Sequence, residues 1–111
     1  MNAAAFGRVF EKANRSRDEW FTVLSRDNGQ HDARLGLAIS KKHCRKATSR
    51  NTLKRIVRES FRQHQAKLQG LDVVVINQPA ATAATRRELF DSLADHWRRC
   101  ARNTGGDRGQ E

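Results

Sequence analysis

The run LDVVVIN at residues 71–77 constrains the fold more than any other stretch of the chain. Four consecutive β-branched residues, bounded by Gly70 before and Pro79 after, describe a strand without a polar face. Such a strand belongs at the centre of a sheet, where both of its faces are covered. At 111 residues the chain is one domain with one small core. The cover must therefore come from short elements on either side.

Those elements are legible in outline. Ala3 to Lys12 places Phe6, Val9 and Phe10 on one side of a short helix, since positions three and four apart are neighbours. WFTVLSR (20–26) and RLGLAIS (34–40) are two apolar-rich runs separated by a loop containing DNG, which predicts two strands paired antiparallel. Near the end, Thr85 and Glu88 have capping-box spacing ahead of Leu89, Leu93 and Trp97, four apart on one helical face. Trp20 and Trp97 are expected in packing roles. The final NTGGDRGQE has no apolar residue, so residues 1–102 are expected to form the domain and 103–111 a disordered polar tail. No stretch approaches the roughly 18 apolar residues of a spanning helix, and the first residues lack the apolar run of a signal peptide. The expected location is the cytoplasm.

Charge singles out one segment. The chain has 22 Lys and Arg against 12 Asp and Glu, net +10. Residues 41–62 alone hold nine basic groups against Glu59, net +8, while the segments before and after are each net +1. A solvated helix face normally mixes signs. An anionic partner, nucleic acid ahead of membrane, accounts for a block that does not. On a helical wheel SRNTLKRIVRESFR (49–62) gathers Leu53, Ile56, Val57 and Phe61 into one apolar arc. Arg50, Lys54, Arg58, Arg62 and Arg55 form a single stripe along one shoulder of that arc, with Glu59 placed to pair with Arg55 or Arg62. Successive cations of this kind suit an RNA or DNA backbone, each neutralising a phosphate and releasing counterions. A DNA-reading helix would instead show Asn or Gln side chains to base edges.

Catalytic and metal-binding patterns are weak. His31, His43, His64 and His96 share no ligand spacing, and Cys44 and Cys100 stand far apart without a CxxC, which predicts free thiols and no zinc site. Asp72 and Asp91 are conceivable nuclease carboxylates, but one opens a strand and the other lies on a polar helix face. No nucleophile, base and acid arrangement is visible.

The order of residues in RLGLAISKKHCRKATSRNTLKRIVRESFR is more specific than its charge. It resembles the protein subunit of bacterial ribonuclease P, whose signature couples a Gly-containing strand ending in Lys-Lys to a helix that opens Arg-Asn-Arg and continues Lys-Arg and Arg-Glu. FGRVF, LDVVVI and LADHWRR extend the resemblance over most of residues 6–99. Thr52 stands where the family usually has its second arginine, which removes one expected RNA contact. The resemblance implies an α+β domain with helices packed on a four-stranded mixed sheet. It also implies a left-handed βαβ crossover, as in the second domain of a small-subunit ribosomal protein, and a fourth strand near Asn14 to Arg17. The implied activity is removal of the 5′ leader from precursor tRNA, with chemistry carried by an RNA subunit and its Mg²⁺. By the same resemblance, Lys42, Arg45, Lys46, Arg50, Asn51, Lys54, Arg55, Arg58 and Arg62 meet that RNA subunit, in a 1:1 complex without membrane attachment. Phe6, Phe10, Phe21, Leu24, Ser40 and Lys41 are the implied lining of a leader cleft, although core packing is a competing role for Phe6 and Phe10. A ribosomal or other structural RNA-binding protein shares the charge and size and is the alternative.

Overall fold

The computed structural model describes residues 3–11 and 13–102. In chain order these form α1 (Ala3–Glu11), β1 (Asn14–Arg17), β2 (Phe21–Asp27), β3 (Arg34–Ala38), α2 (Ala47–Gln63), β4 (Leu71–Asn77) and α3 (Arg86–Ala101), with single 3₁₀ turns at Gln65–Leu68 and Pro79–Ala83. The expected polar tail and Lys12 lie outside the described residues.

The four strands form one mixed sheet in the order β1-β2-β4-β3. Strand β4 is central, antiparallel to β2 and parallel to β3. This corrects the expected pairing of 20–26 with 34–40, because β4 sits between those strands. Its VVVI run is the longest two-sided apolar stretch, so burying it between two neighbours removes more apolar surface from water than an edge position would. The loop from Asn28 to Ala33 spans the start of β4 to make this possible: Asn28 N–H donates to the Gly70 carbonyl at 2.8 Å and Gly70 N–H to the His31 carbonyl at 3.1 Å. Gly70 has φ 84°, a conformation that side-chain-bearing residues rarely adopt. β1, implied by the resemblance, is present at Asn14–Arg17, antiparallel to β2.

Alternate residues of the sheet face two different layers. Phe21, Val23, Leu71, Val73 and Val75 face α2 and α3 in the larger core, where Leu53, Ile56, Val57, Phe61, Leu89, Leu93 and Trp97 meet them. Leu24 and Val74 face the other way and pack with Val9 of α1. The apolar arc of α2 is buried as its wheel predicts, joined by Ser60. Ser60 is small enough to admit the Trp97 ring, and its Oγ accepts the indole N–H at 2.9 Å. The α3 capping box forms as its spacing predicts, with Thr85 Oγ accepting from Glu88 N–H at 3.1 Å and Glu88 Oε1 accepting from Thr85 N–H at 2.8 Å. Cys44 and Cys100 are free, buried thiols.

A polar cluster pins β1 to α3. His96 is fully buried, with Nδ1 2.7 Å from Ser16 Oγ and Nε2 3.1 Å from Asp18 Oδ2. Ser92 Oγ donates to Asp18 Oδ2, Trp20 and Phe21 N–H donate to Asp18 Oδ1, and Arg99 donates to Ser16 Oγ. A neutral imidazole protonated at Nε2 suits these partners. Burial pushes the His96 pKa down from its ordinary value, and the nearby Asp18 carboxylate only partly opposes this. Burial alone would raise Asp18, but the Ser92 hydroxyl and the two amides outweigh it and hold that carboxyl below its ordinary range.

The two groups act in different pH windows. The unfolded chain takes up a proton at His96 first, so stability should fall as pH drops below about 6.5, by at most about 1.4 kcal/mol per pH unit. The contribution of Asp18 is present above its ordinary carboxylate range and is lost only at lower pH. Thermal unfolding of the wild type and His96→Gln between pH 7 and 5 checks the sign: the variant should be less stable at pH 7 but show the flatter pH dependence. Equal slopes would remove His96 as the titrating group.

Candidate nucleic-acid interface

The basic stripe of α2 occupies the shoulder turned away from α3. Ser49, Thr52 and Ile56 line the α3 side together with Arg86 and Leu89. On the opposite shoulder Asn51, Arg55, Arg58 and Arg62 are exposed, Lys54 is half-buried, and a groove of about 440 Å³ runs between Asn51, Arg55, Arg58, Glu59 and Arg62. Glu59 does not neutralise the stripe as its spacing suggests. Its Oε1 lies 3.5 Å from Arg86 Nη2 on α3, so part of its charge is directed away from the neighbouring arginines.

Arg50 is half-buried and bonded within the chain. Its Nη1 donates to the carbonyls of Cys44 at 3.0 Å and Arg45 at 2.7 Å, tying the first turn of α2 to the loop before it. Through Nη1, Arg50 clamps the loop to the helix, and the exposed cations here are Lys41, Lys42, Arg45 and Lys46 of the loop with Arg55, Arg58 and Arg62 of the helix. Thr52 fills no gap in the stripe, since its hydroxyl donates back to the Thr48 carbonyl.

The loop itself is fixed by a residue that sequence reasoning missed. Asn77, fully buried at the end of β4, accepts from Ser40 N–H through Oδ1 at 2.8 Å, while its carbonyl lies 2.8 Å from His43 Nδ1. Ser40 Oγ accepts from His43 N–H, and Cys44 N–H donates to the Ser40 carbonyl. The one available signal was a polar residue closing an apolar strand, which is ambiguous between a strand end and an anchor.

A second surface lies on the opposite face of the sheet. α1 crosses β2 and β4 there, with Val9 fully buried over Leu24 and Val74. Phe6 is half-buried, whereas Phe10 is 49% exposed, its ring centroid 5.3 Å from that of Phe6 and tilted by 31°. The adjoining cross-sheet row of Thr22, Ile76 and Ala38 continues this face, with Ile76 and Ala38 half-buried. Beyond Ala38 the strand ends, and Ser40 and exposed Lys41 begin the loop that leads to α2.

The predicted cleft residues therefore separate. Phe6 and Phe10 come to the α1 side of the sheet, whereas Ser40 is tied to Asn77 at the end of β4 and Lys41 is exposed in the loop before α2. Leu24 is on the α1 side but lies beneath Val9 at 4% exposure, a floor residue with little surface to offer. Phe21 is a correction: it is 0% exposed on the reverse face, in the core with α2 and α3, so it cannot line the cleft. The parity of the strand decides this, because Phe21 and Leu24 are an odd number of residues apart and point to opposite faces.

Among the described residues no three His, Cys, Asp or Glu side chains converge as a metal site. Asp72 is engaged by Arg34, whose Nε and Nη2 reach its two oxygens at 2.7 and 2.8 Å. No described helix is long and apolar enough to cross a membrane.

Comparison with known proteins agrees with this geometry. The family model described as Ribonuclease P matches residues 1–101. The ribonuclease P protein component of Methylococcus capsulatus is 49% identical over 100 residues, covering 86% of this chain and 78% of that one. That of Thioalkalivibrio sulfidiphilus is 47% identical over 94 residues, covering 85% and 78%. Among solved structures, the RNase P protein of Staphylococcus aureus superposes with a TM-score of 0.80 at 30% identity, over 91% of this chain and 92% of that one. The RNase P protein of Thermotoga maritima gives 0.77 at 33%, over 85% and 89%. With the family model, the sequence relatives and the fold in agreement, the chain belongs to the family of bacterial ribonuclease P protein subunits.

Proposed function

We propose that this chain binds the ribonuclease P RNA subunit, one protein to one RNA, through α2 and the loop before it. On this reading the α1 face of the sheet holds the 5′ leader of precursor tRNA. The observation that carries it is the separation of two unlike surfaces: a helix shoulder of outward cations, suited to a folded RNA backbone, and an apolar face with an exposed ring at Phe10, suited to unpaired bases. Stacking on Phe10 is indifferent to base identity, which suits leaders of varied sequence. Arg55, Arg58 and Arg62 neutralise phosphates, and Asn77 fixes Ser40 at the start of the cationic loop.

The chemistry belongs to the RNA. Mg²⁺ held there would supply Lewis acidity at the scissile phosphate and an activated water. This chain binds and orients; among the described residues no three His, Cys, Asp or Glu side chains gather, and Asp72 is committed to Arg34. The ribosomal alternative would require the Phe10 face to be covered by structural RNA and gives no reason for an open apolar surface opposite the stripe.

The test is reconstitution. Purified protein with Mg²⁺ should leave precursor tRNA intact, and leader removal should appear when the RNA subunit is added. Leader removal by RNA-free protein would place catalysis in this chain instead.

A further inference from the structure

The edge strand β1 carries two arginines that neither surface above has used. Ser16 between them turns towards α3, where its Oγ meets His96 and Arg99. Strand alternation therefore sends Arg15 and Arg17 to the other face of the sheet, the one crossed by α1. Register places Arg15 opposite Leu24 and Arg17 opposite Thr22, at the flank of the rows that floor the Phe10 face. Both are exposed. Among the described residues neither guanidinium has a carboxylate within salt-bridge distance. Arg26, diagonal to Arg15 on the same face, is held by the Arg8 carbonyl at 2.9 Å and adds to the positive field. The nearest acid of the connecting turn, Asp18, is occupied by Ser92, His96 and two backbone amides.

Two cations without a carboxylate partner among the described residues, two residues apart on one strand, stand about 7 Å from each other along the backbone. That separation is comparable to the spacing of successive phosphates in an unstacked RNA strand. We propose that Arg15 and Arg17 form a second phosphate-binding track, which holds leader nucleotides lying upstream of those at Phe10. The proposal rests on the assignment of the α1 face to the leader. It predicts a length requirement: a short leader never reaches the track, and a long one gains two phosphate contacts.

Holoenzyme affinity for precursor tRNAs with leaders of stepped length, each measured over a range of salt, tests this. For the wild type, affinity should rise with leader length to a plateau. In the double variant Arg15→Ala, Arg17→Ala the plateau should come at a shorter leader. The log-log salt slope on long leaders should be shallower by about 1.4, at roughly 0.7 per single-strand phosphate. Short-leader affinity and thermal unfolding should be unchanged, and Arg15→Lys, Arg17→Lys should restore the slope. A wild type that depends on leader length with a double variant that keeps the same plateau and slope overturns the track alone. Equal loss on short and long leaders also overturns it. A wild type indifferent to leader length overturns both the track and the leader assignment beneath it.

Discussion

Alanine at Arg55, Arg58 and Arg62 together should flatten the salt dependence of RNA-subunit binding by about 2 to 3 on a log-log scale, at roughly 0.7 to 0.9 per phosphate contact. The three side chains are exposed on one shoulder of α2, so their removal leaves the core intact and the melting temperature near that of the wild type. Relief of repulsion between like charges on adjacent turns offsets any small loss of packing. Arg50→Ala is the informative contrast. Its guanidinium bonds the carbonyls of Cys44 and Arg45, so truncation should cost about 1 kcal/mol of stability while changing the salt slope little. Titration of the RNA subunit at several salt concentrations, beside thermal unfolding, separates the two behaviours. An unaltered slope in the triple variant would show that the stripe is merely solvated.

Phe21→Ala and Phe10→Ala should fail in opposite ways. Phe21 is fully buried among Val23, Val75 and the α3 side chains, and truncation there should cost about 3 to 5 kcal/mol of folding stability. A domain of this size has total stability on the order of 5 to 15 kcal/mol, so the loss is a large share of the total and should appear as a clear drop in the unfolding midpoint. Phe10, half exposed, should tolerate the change with little loss of stability. Its expected cost is instead about 1 to 3 kcal/mol of affinity for precursor tRNA, with binding of leaderless mature tRNA unaffected. Denaturant unfolding paired with holoenzyme binding of the two tRNA forms checks both. A destabilised Phe10→Ala protein that binds both forms equally poorly would return Phe10 to the core.

What could be read from the sequence follows what each signal physically encodes. The apolar arc of α2, the α3 capping box and the central position of 71–77 are local patterns, and each was legible. Strand pairing was not, because 20–26 and 34–40 look like the arms of a hairpin until β4 is recognised as the better partner of both. β1 was hidden from residue patterns for a different reason. NRSR contains no apolar residue, since its inward position is Ser16 in a polar cluster. Only the resemblance pointed to it. The misplacement of Phe21 has a related origin: β2 is buried on five consecutive residues, so composition does not say which of its faces meets which helix. Arg50 and Asn77 act through backbone carbonyls and amides of a loop, and a side chain that bonds to the backbone leaves little trace in residue types.

The alternation of β4 has a consequence for how a holoenzyme would be built. Val73 and Val75 support the layer that carries α2, and Val74 and Ile76 support the layer beneath α1. One strand is thus the shared wall of two layers on opposite faces of the sheet. On the proposed reading, the leader lies on the α1 layer and the RNA subunit on α2 and the loop before it. The domain then works as a spacer: one sheet and one helix layer, each roughly 10 Å deep, fix how far the leader is held from the RNA that α2 grips.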